Sequence, residues 1–597
     1  MLNRIIDFHL RHRWFVLAGL FGLIALGLYV LFQIPIDAFP DLTSNQVVVI
    51  TEAPAMPPSE VEQLVTFPIE TALMGIPRTE GVRSISKLGL SMVTLAFADS
   101  VDTYFARQLV NERLQEVRAR LPEGLEPALG PVATAFGEVY QYTVEGHGHS
   151  VMDLKTLHEW QIKNQLRTVP GVNEVNTWGG ETQQYQVIVD PVNLQRYGLK
   201  LRDVYERIRE NNTNFGGGFI EHASEQYTVL GLGRTQSIGD LEQIIILARA
   251  GASVLLRDVA KVSVQPMPRQ GAVLRDGKGE TVSGMAIMLK GENGRQVIER
   301  VKAKLASLRL PNGVRIVPFY DQSTVIDGTI RTVKKNLFEA GVLVIVVLLL
   351  FLGNVKAALI VAAVIPLSML VGFIGMRLFG VSANLMSLGA IDFGMIVDGA
   401  VVMMENSVRH LDRAPGDRNF DSVERVRRAA HEVARPIVFA VAIIIAVYMP
   451  VLFLEGLEGR MFRPMAITVC SALIGALVLA LTVVPTAACI ALRRGVREHR
   501  ERWFEYVQNL YTAVLEWALN RRLLVISISV VVLALALGSL RYIGTEFMPR
   551  LDEGSLLIET RKLPGISLTE SVKISERVEK VIAGFPEVTG IVTKMGR

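Results

Sequence analysis

The sequence predicts an α-helical membrane protein with an α+β extracytoplasmic domain, and three observations predict it. The first is composition: 597 residues with mean hydropathy +0.34, 50% apolar and 20% charged, where soluble domains carry nearer a quarter charged residues. That balance excludes a wholly soluble, disordered or coiled-coil chain. The second is seven apolar runs, each close to the length of about twenty residues that spans a bilayer. The third is a polar block, residues 33–335, with alternating strand and helix patterns between the first two runs.

The runs are residues 14–32, 337–352, 357–379, 383–408, 436–453, 466–492 and 523–540. The first follows Arg11-His12-Arg13 but is too long for a secretory signal, and no small-residue cleavage site follows it. The second is short, so its helix is expected to begin near Thr332. Orientation follows the basic residues. Seven Lys and Arg lie between Arg409 and Arg435, seven more between Arg493 and Arg522, and Arg4, Arg11 and Arg13 precede the first run. All three segments fall on one side when seven spans alternate, which makes them cytoplasmic and residues 33–335 and 541–597 extracytoplasmic. The expected domains are therefore 1–32, 33–335, 336–492, 493–522, 523–540 and 541–597.

Residues 499–519 place Trp503, Val507, Leu510, Val514 and Trp517 at helical spacing beside Arg500, Arg502 and Glu505. This reads as an amphipathic helix on the cytoplasmic membrane face, or as a helix of an ordinary soluble loop. Within 33–335, strand patterns at 46–50, 82–97, 172–189 and 280–289 alternate with helical patterns at 58–73, 103–120, 194–211 and 295–307. Two ferredoxin-like subdomains are the expected arrangement, with the glycine-rich residues 216–233 as an excursion from the second. The two cysteines, Cys470 and Cys489, share one apolar run. Helix would hold them roughly 28 Å apart at ~1.5 Å per residue, so they do not pair.

The chain also repeats itself. An offset of 509 maps Arg13-Trp14 onto Arg522-Leu523, Phe39-Pro40-Asp41-Leu42 onto Met548-Pro549-Arg550-Leu551, and the strand at 47–49 onto 556–558. The seventh run thus begins a second, parallel copy of the opening unit, an arrangement known among transporters. The expectation is a fragment or one piece of a split gene; a complete seven-span protein whose tail resembles its start is the alternative.

The fourth run holds three acids: Asp392, Asp398 and Glu405. A central Asp in a membrane helix costs at least ~2.5 kcal/mol, and such residues usually serve ion or proton pathways. Asp398 and Glu405 share a helix face about 10 Å apart along the axis, with Asp392 rotated from Asp398 by about 120°. Desolvation favours the protonated form of such a carboxyl and suits it to reversible proton uptake. The competing reading is a purely structural ion pair, but the basic residues of the other runs, Arg377, Lys334 and Lys335, lie near outer ends.

Three stretches together resemble the resistance-nodulation-division superfamily, in its heavy-metal efflux branch. They are Ile34-Pro35-Ile36-Asp37-Ala38-Phe39-Pro40-Asp41-Leu42, Ser382-Ala383-Asn384-Leu385-Met386-Ser387-Leu388-Gly389, and Asp392-Phe393-Gly394 followed by Asp398-Gly399-Ala400-Val401-Val402 and Glu405-Asn406. Multidrug members usually carry two adjacent aspartates here; this chain has Gly399 and places its second acid at Asp392. The resemblance covers the whole chain and corresponds to the N-terminal portion of the family's full length. It implies an inner-membrane, proton-driven cation antiporter rather than an enzyme, without a cofactor, working as a homotrimer with a periplasmic adaptor and an outer-membrane channel. Asp392, Asp398 and Glu405 would be its proton relay, with a basic partner on a later span of the family pattern. No nucleic-acid partner is expected.

In the copper and silver members a methionine follows the seventh span, where this chain has Glu559 in Leu556-Leu557-Ile558-Glu559-Thr560. A carboxylate suits Zn²⁺, Co²⁺, Ni²⁺ or Cd²⁺ better than Cu⁺. Glu138 is a second candidate ligand, and for both a solvated surface acid is the alternative. His147-Gly148-His149 reads more readily as surface, and Met395, Met403 and Met404 as packing. Rival functions are a copper, silver or multidrug exporter, or a truncated, non-transporting membrane subunit. Motifs for a phosphate loop, a zinc protease or a nucleophile elbow are absent.

Overall fold

Apolar runs become helices, and most helices run past the residues that predicted them because their polar flanks also cap and continue the turn. The computed structural model describes residues 2–35, 41–134, 137–249, 252–269, 271–352, 354–389, 393–411, 421–493, 502–544, 554–563 and 565–596. Among them six helices are long and apolar enough to cross a membrane: Arg13–Gln33, Val355–Leu378, Met386–His410, Ser422–Leu452, Gly456–Ala491 and Arg522–Tyr542. A further helix, Gln322–Leu352, occupies the place of the expected second span. It starts well before Thr332 because Asp321 caps it: Asp321 Oδ1 accepts the Ser323 N–H at 3.0 Å and the Ser323 hydroxyl at 2.7 Å. The fifth span likewise begins at Ser422 rather than near 436, with the Asp421 carboxylate accepting the Val423 N–H at 2.9 Å. Its added turns carry Glu424, Arg425, Arg427, Arg428 and Glu432, so part of the expected loop is helix.

Two compact units make up the chain. One is Met1–Val139, Met288–Glu299 and Asp321–Thr560; the other is Tyr140–Ile287, Arg300–Tyr320 and Arg561–Arg597.

The first unit holds the membrane helices. Its third and sixth spans, Val355–Leu378 and Gly456–Ala491, approach through small residues: a Cβ at Gly475 would lie 2.6 Å from Val371 Cβ, and one at Gly375 would overlap Ser471. Without a hydrophobic drive between helices in lipid, such close backbone approach supplies the packing energy. The same core takes Val397, Ala400 and Met404 from the fourth span and buries Ile6 and Leu10 of the short N-terminal helix Leu2–Arg11. Asp7 of that helix accepts from His431 Nε2 at 2.9 Å.

The same unit also carries a β-α-β-β-α-β module. Strand Gln46–Glu52 lies between Leu90–Phe97 and Pro127–Leu129, and Thr79–Lys87 forms the edge, every pairing antiparallel. Val47 and Val49 alternate inward with period 2, meeting Val61, Val65 and Ile69 of the first helix and Val110 and Leu114 of Thr103–Arg118. A π-turn at Glu62–Thr66 aims the Thr66 hydroxyl at Ser86 and Ser91, 2.8 Å from each.

In the second unit the sheet order is Val314–Asp321, Glu138–Gly146, Glu280–Met288, Ala272–Arg275 and Val592–Met595, with Val172–Gly179 also paired to Glu280–Met288. The tail strand pairs antiparallel from Ala272↔Met595 to Arg275↔Val592. Its helix, Leu568–Ile582, buries Ser571, Ser575 and Glu579, and Glu579 Oε2 accepts the Gly277 N–H at 2.7 Å. A π-turn at His158–Ile162 repeats the device of the first unit. It buries His158 completely, with Nε2 2.9 Å from the Tyr142 hydroxyl and Nδ1 2.9 Å from the Thr177 hydroxyl. Burial pushes the His158 pKa down to about 4 and raises that of Tyr142.

A smaller cluster in this unit pairs Gln183–Val189 with Ala260–Pro266 and packs Val204 onto Leu241, Leu256 and Val262. The expected single helix at 194–211 is two, Pro191–Tyr197 and Leu201–Glu210, separated at Gly198 with φ +67°, a value that favours glycine. The glycine-rich excursion is an exposed hairpin, Phe215–His222 and Glu225–Gly231.

At the repeat offset of 509, Leu568–Ile582 falls on the helical residues 59–73. The strand expected at 556–558 is not formed: Leu556 and Leu557 are more than nine-tenths exposed and lie in no ladder. A segment without a ladder leaves its backbone bonds to solvent or side chains.

Candidate functional site

The fourth span is built with two unlike faces. Along Phe393–His410, the residues Ile396, Val397, Ala400, Met403, Met404, Ser407 and Val408 are buried. They pack on the third, fifth and sixth spans, so the methionines read as packing residues. The exposed positions are Gly394, Asp398, Val402, Glu405 and Arg409. Steps of four, four, three and four residues confine them to an arc of about 80°. Asp398 and Glu405 therefore lie on one stripe, about 10 Å apart along the axis. Gly399, beside Asp398, is turned toward the bundle: a Cβ there would sit 3.1 Å from Ile437 Cγ2 and 3.7 Å from Ala480 Cβ. Glycine lets the fifth and sixth spans close on the helix at the level of the acid. Asp392 lies outside the described residues.

At the other end of this span is a polar cluster the sequence reading missed. Asn406 Nδ2 donates to the Ala429 carbonyl at 2.9 Å and to Glu432 Oε2 at 3.0 Å, and His410 Nε2 lies 3.0 Å from that same oxygen. Glu432 and His431 are neighbours on the fifth span. One ties the fourth span and the other ties Asp7 of the N-terminal helix, so the dipeptide joins three helices. The only sequence signal was the acid-base pattern of residues 424–435, which the reading assigned to a loop.

The two candidate metal ligands are exposed. Glu138 opens the strand Glu138–Gly146, just after Gly137, whose carbonyl accepts the Met288 N–H at 2.7 Å. Glu559 lies in the irregular segment before Leu568–Ile582. Among the described residues no three His, Cys, Asp or Glu side chains come together as a metal-binding group. His149 is held otherwise, with Nε2 3.1 Å from the Asn312 carbonyl.

A family model described as AcrB/AcrD/AcrF matches residues 5–597. The chain belongs to that family. Among curated members, protein HelA of Legionella pneumophila is 45% identical over 611 residues. The cobalt-zinc-cadmium resistance protein CzcA of Cupriavidus metallidurans is 44% identical over 614. Each similarity takes in 100% of this chain and 58% of the relative. A crystal structure of a heavy metal efflux pump superposes with TM-score 0.86 at 35% identity, covering 99% of this chain and 58% of that one. The expected resemblance is thereby borne out: this is a resistance-nodulation-division sequence whose similarity runs to the heavy-metal efflux members. The AcrB/AcrD/AcrF-family chain spans 58% of the length of the curated relatives it matches.

Proposed function

We propose that the chain works in a proton-driven pump that exports divalent heavy-metal cations, of the Zn²⁺, Co²⁺, Cd²⁺ and Ni²⁺ class, across the cell envelope. The observation that carries this reading is that Asp398 and Glu405 share one stripe of a span whose opposite side packs on neighbouring helices. Protonation there changes the charge of one helix face while the packed face keeps its contacts. Asp392, Asp398 and Glu405 form the relay, since acids placed in an apolar helix are costly and usually serve proton or ion pathways. Glu138 and Glu559 are proposed as ligands to the passing ion, their hard oxygens favouring divalent cations over Cu⁺. The cobalt-zinc-cadmium name of the relative at 44% identity supports the same class.

In this reading seven helices span the inner membrane, Gln322–Leu352 among them, with the α/β modules, two of them ferredoxin-like, on the periplasmic side. The pump is a homotrimer coupled to a periplasmic adaptor and an outer-membrane channel. Everted membrane vesicles carrying the native protein, energised with a proton gradient, should accumulate Zn²⁺ and release lumenal protons as they do so. Asp398→Asn should abolish both signals. Undiminished Zn²⁺ accumulation by that variant would remove the relay from the proposal.

A further inference from the structure

We infer that Arg460 and Asp99 form a closed joint through which the membrane helices move the first α/β module, with Pro464 as its hinge. The inference rests on the pump reading above, and all its residues lie in the first compact unit.

Arg460 sits in the second turn of the sixth span, Gly456–Ala491, with its side chain 22% exposed. Its guanidinium holds three acceptors. Nη1 donates to the Leu42 carbonyl at 3.2 Å and to the Thr43 carbonyl, and Nη2 donates to the Asp99 carboxylate, 361 residues away in the chain. A lone surface ion pair contributes little. A planar guanidinium that also holds two backbone carbonyls fixes position as well as charge.

What Arg460 holds is a knot. The Asn45 side chain is buried, donates from Nδ2 to the Ala98 and Val101 carbonyls, and accepts from the Thr103 hydroxyl at 3.1 Å. The Phe97 N–H donates to the Asn45 carbonyl at 2.7 Å. Strand Leu90–Phe97 ends in this knot and helix Thr103–Arg118 begins in it, its first turn capped by Asp102 accepting from the Tyr104 and Phe105 N–H groups at 2.9 Å. A pull on Asp99 and Thr43 is therefore delivered to both layers of the module.

On the membrane side, Pro464 lacks the N–H that would bond the Arg460 carbonyl, which opens the helix ladder one turn beyond the joint. The Thr468 hydroxyl donates to the Pro464 carbonyl at 2.7 Å. Below this hinge the same helix is committed to the bundle, with Gly475 against Val371 and Ala480 facing Gly399 of the relay helix. From Arg460 to Ala480 is ~30 Å of helix at ~1.5 Å per residue. A tilt of the sixth span, carried to it by the relay helix through the contacts they keep, turns about Pro464 while Arg460 keeps the upper turns on the module. Arg460 is thus a positioning residue: it transmits movement and touches neither proton nor metal.

The test uses the native protein in everted vesicles, with Zn²⁺ as the transported probe. Arg460→Ala should lower the maximal rate about tenfold while leaving the half-saturating Zn²⁺ concentration within about twofold, the signature of a lost step rather than lost binding. Arg460→Lys should keep an intermediate rate. The paired variant Asp99→Cys/Arg460→Cys should be slow until a short bifunctional thiol reagent bridges the two positions, and bridging should restore the rate. An unchanged maximal rate in Arg460→Ala, or a change confined to half-saturation, overturns the joint. A bridged pair no faster than the unbridged one also overturns it, because holding the two positions together would then supply nothing that the Arg460 contact supplies. If Arg460→Ala fails to accumulate in the membrane, the bridged pair decides. Wild-type vesicles that never move Zn²⁺ would refute the pump reading itself, whatever the Arg460 variants do.

Discussion

Acidifying the protein from pH 7.5 to 5 should loosen the second unit's sheet through one residue, His158. Its ring is fully buried and bonded at both nitrogens, to the Tyr142 and Thr177 hydroxyls. Burial is the main cause of its low pKa of about 4; Lys163 and Lys155 push the same way, and Glu159 opposes them. In the unfolded chain the group titrates near 6.5. Between these values the unfolded state holds more protons, so stability rises with pH. The contribution is complete above about 6.5 and is lost as pH falls through about 4. A difference of about 2.5 units corresponds to about 3.4 kcal/mol in all, of which about 2 kcal/mol is gone by pH 5. Amide hydrogen exchange in Glu138–Gly146 and Val172–Gly179, corrected for intrinsic rates, should then quicken about thirtyfold where exchange follows unfolding. His158→Gln, which keeps hydrogen-bonding capacity and removes the titration, should be nearly flat over the same range. An equal pH dependence in wild type and variant would refute the reasoning.

Two further substitutions address the membrane site and the ion. Gly399→Leu should cost about 1–3 kcal/mol by overpacking against Ile437 and Ala480, lowering the melting temperature in detergent and the transport rate, whereas Gly19→Ala, with nothing within 4 Å of the added carbon, should change neither. Glu559→Met replaces a hard oxygen with a soft sulfur and should shift the metal-resistance profile from Zn²⁺ and Co²⁺ toward Cu⁺ and Ag⁺; an unaltered profile would take Glu559 out of the ligand set.

The parts of this fold that a sequence declares are those decided locally. Apolar runs locate the helices, and a β-branched run locates the strand at 46–50, which extends to Glu52. Helix limits were less legible, because Asp321 and Asp421 start their helices through side-chain caps within polar residues that hydropathy assigns to loops. Pairings between distant segments were not legible at all. Val592–Met595 completes a sheet edge at Ala272–Arg275, and nothing in either short stretch names its partner. The same holds for Arg460, whose surroundings, Leu454-Glu455-Gly456-Leu457-Glu458-Gly459-Arg460, read as a connector until folding brings Asp99 to it.

For the candidate relay, helical spacing alone placed Asp398 and Glu405 on one face, but only packing decides which face that is. A helix in lipid could have turned its acids inward to hold the bundle together, with the small residues outside. Here the order is reversed. Val397, Ala400 and Met404 face the helices that fix the span, Gly399 admits Ile437 and Ala480 at van der Waals distance, and the acids occupy the opposite arc. In the proposed relay, proton uptake on that arc would alter charge and solvation while the face packed on the sixth span keeps its contacts.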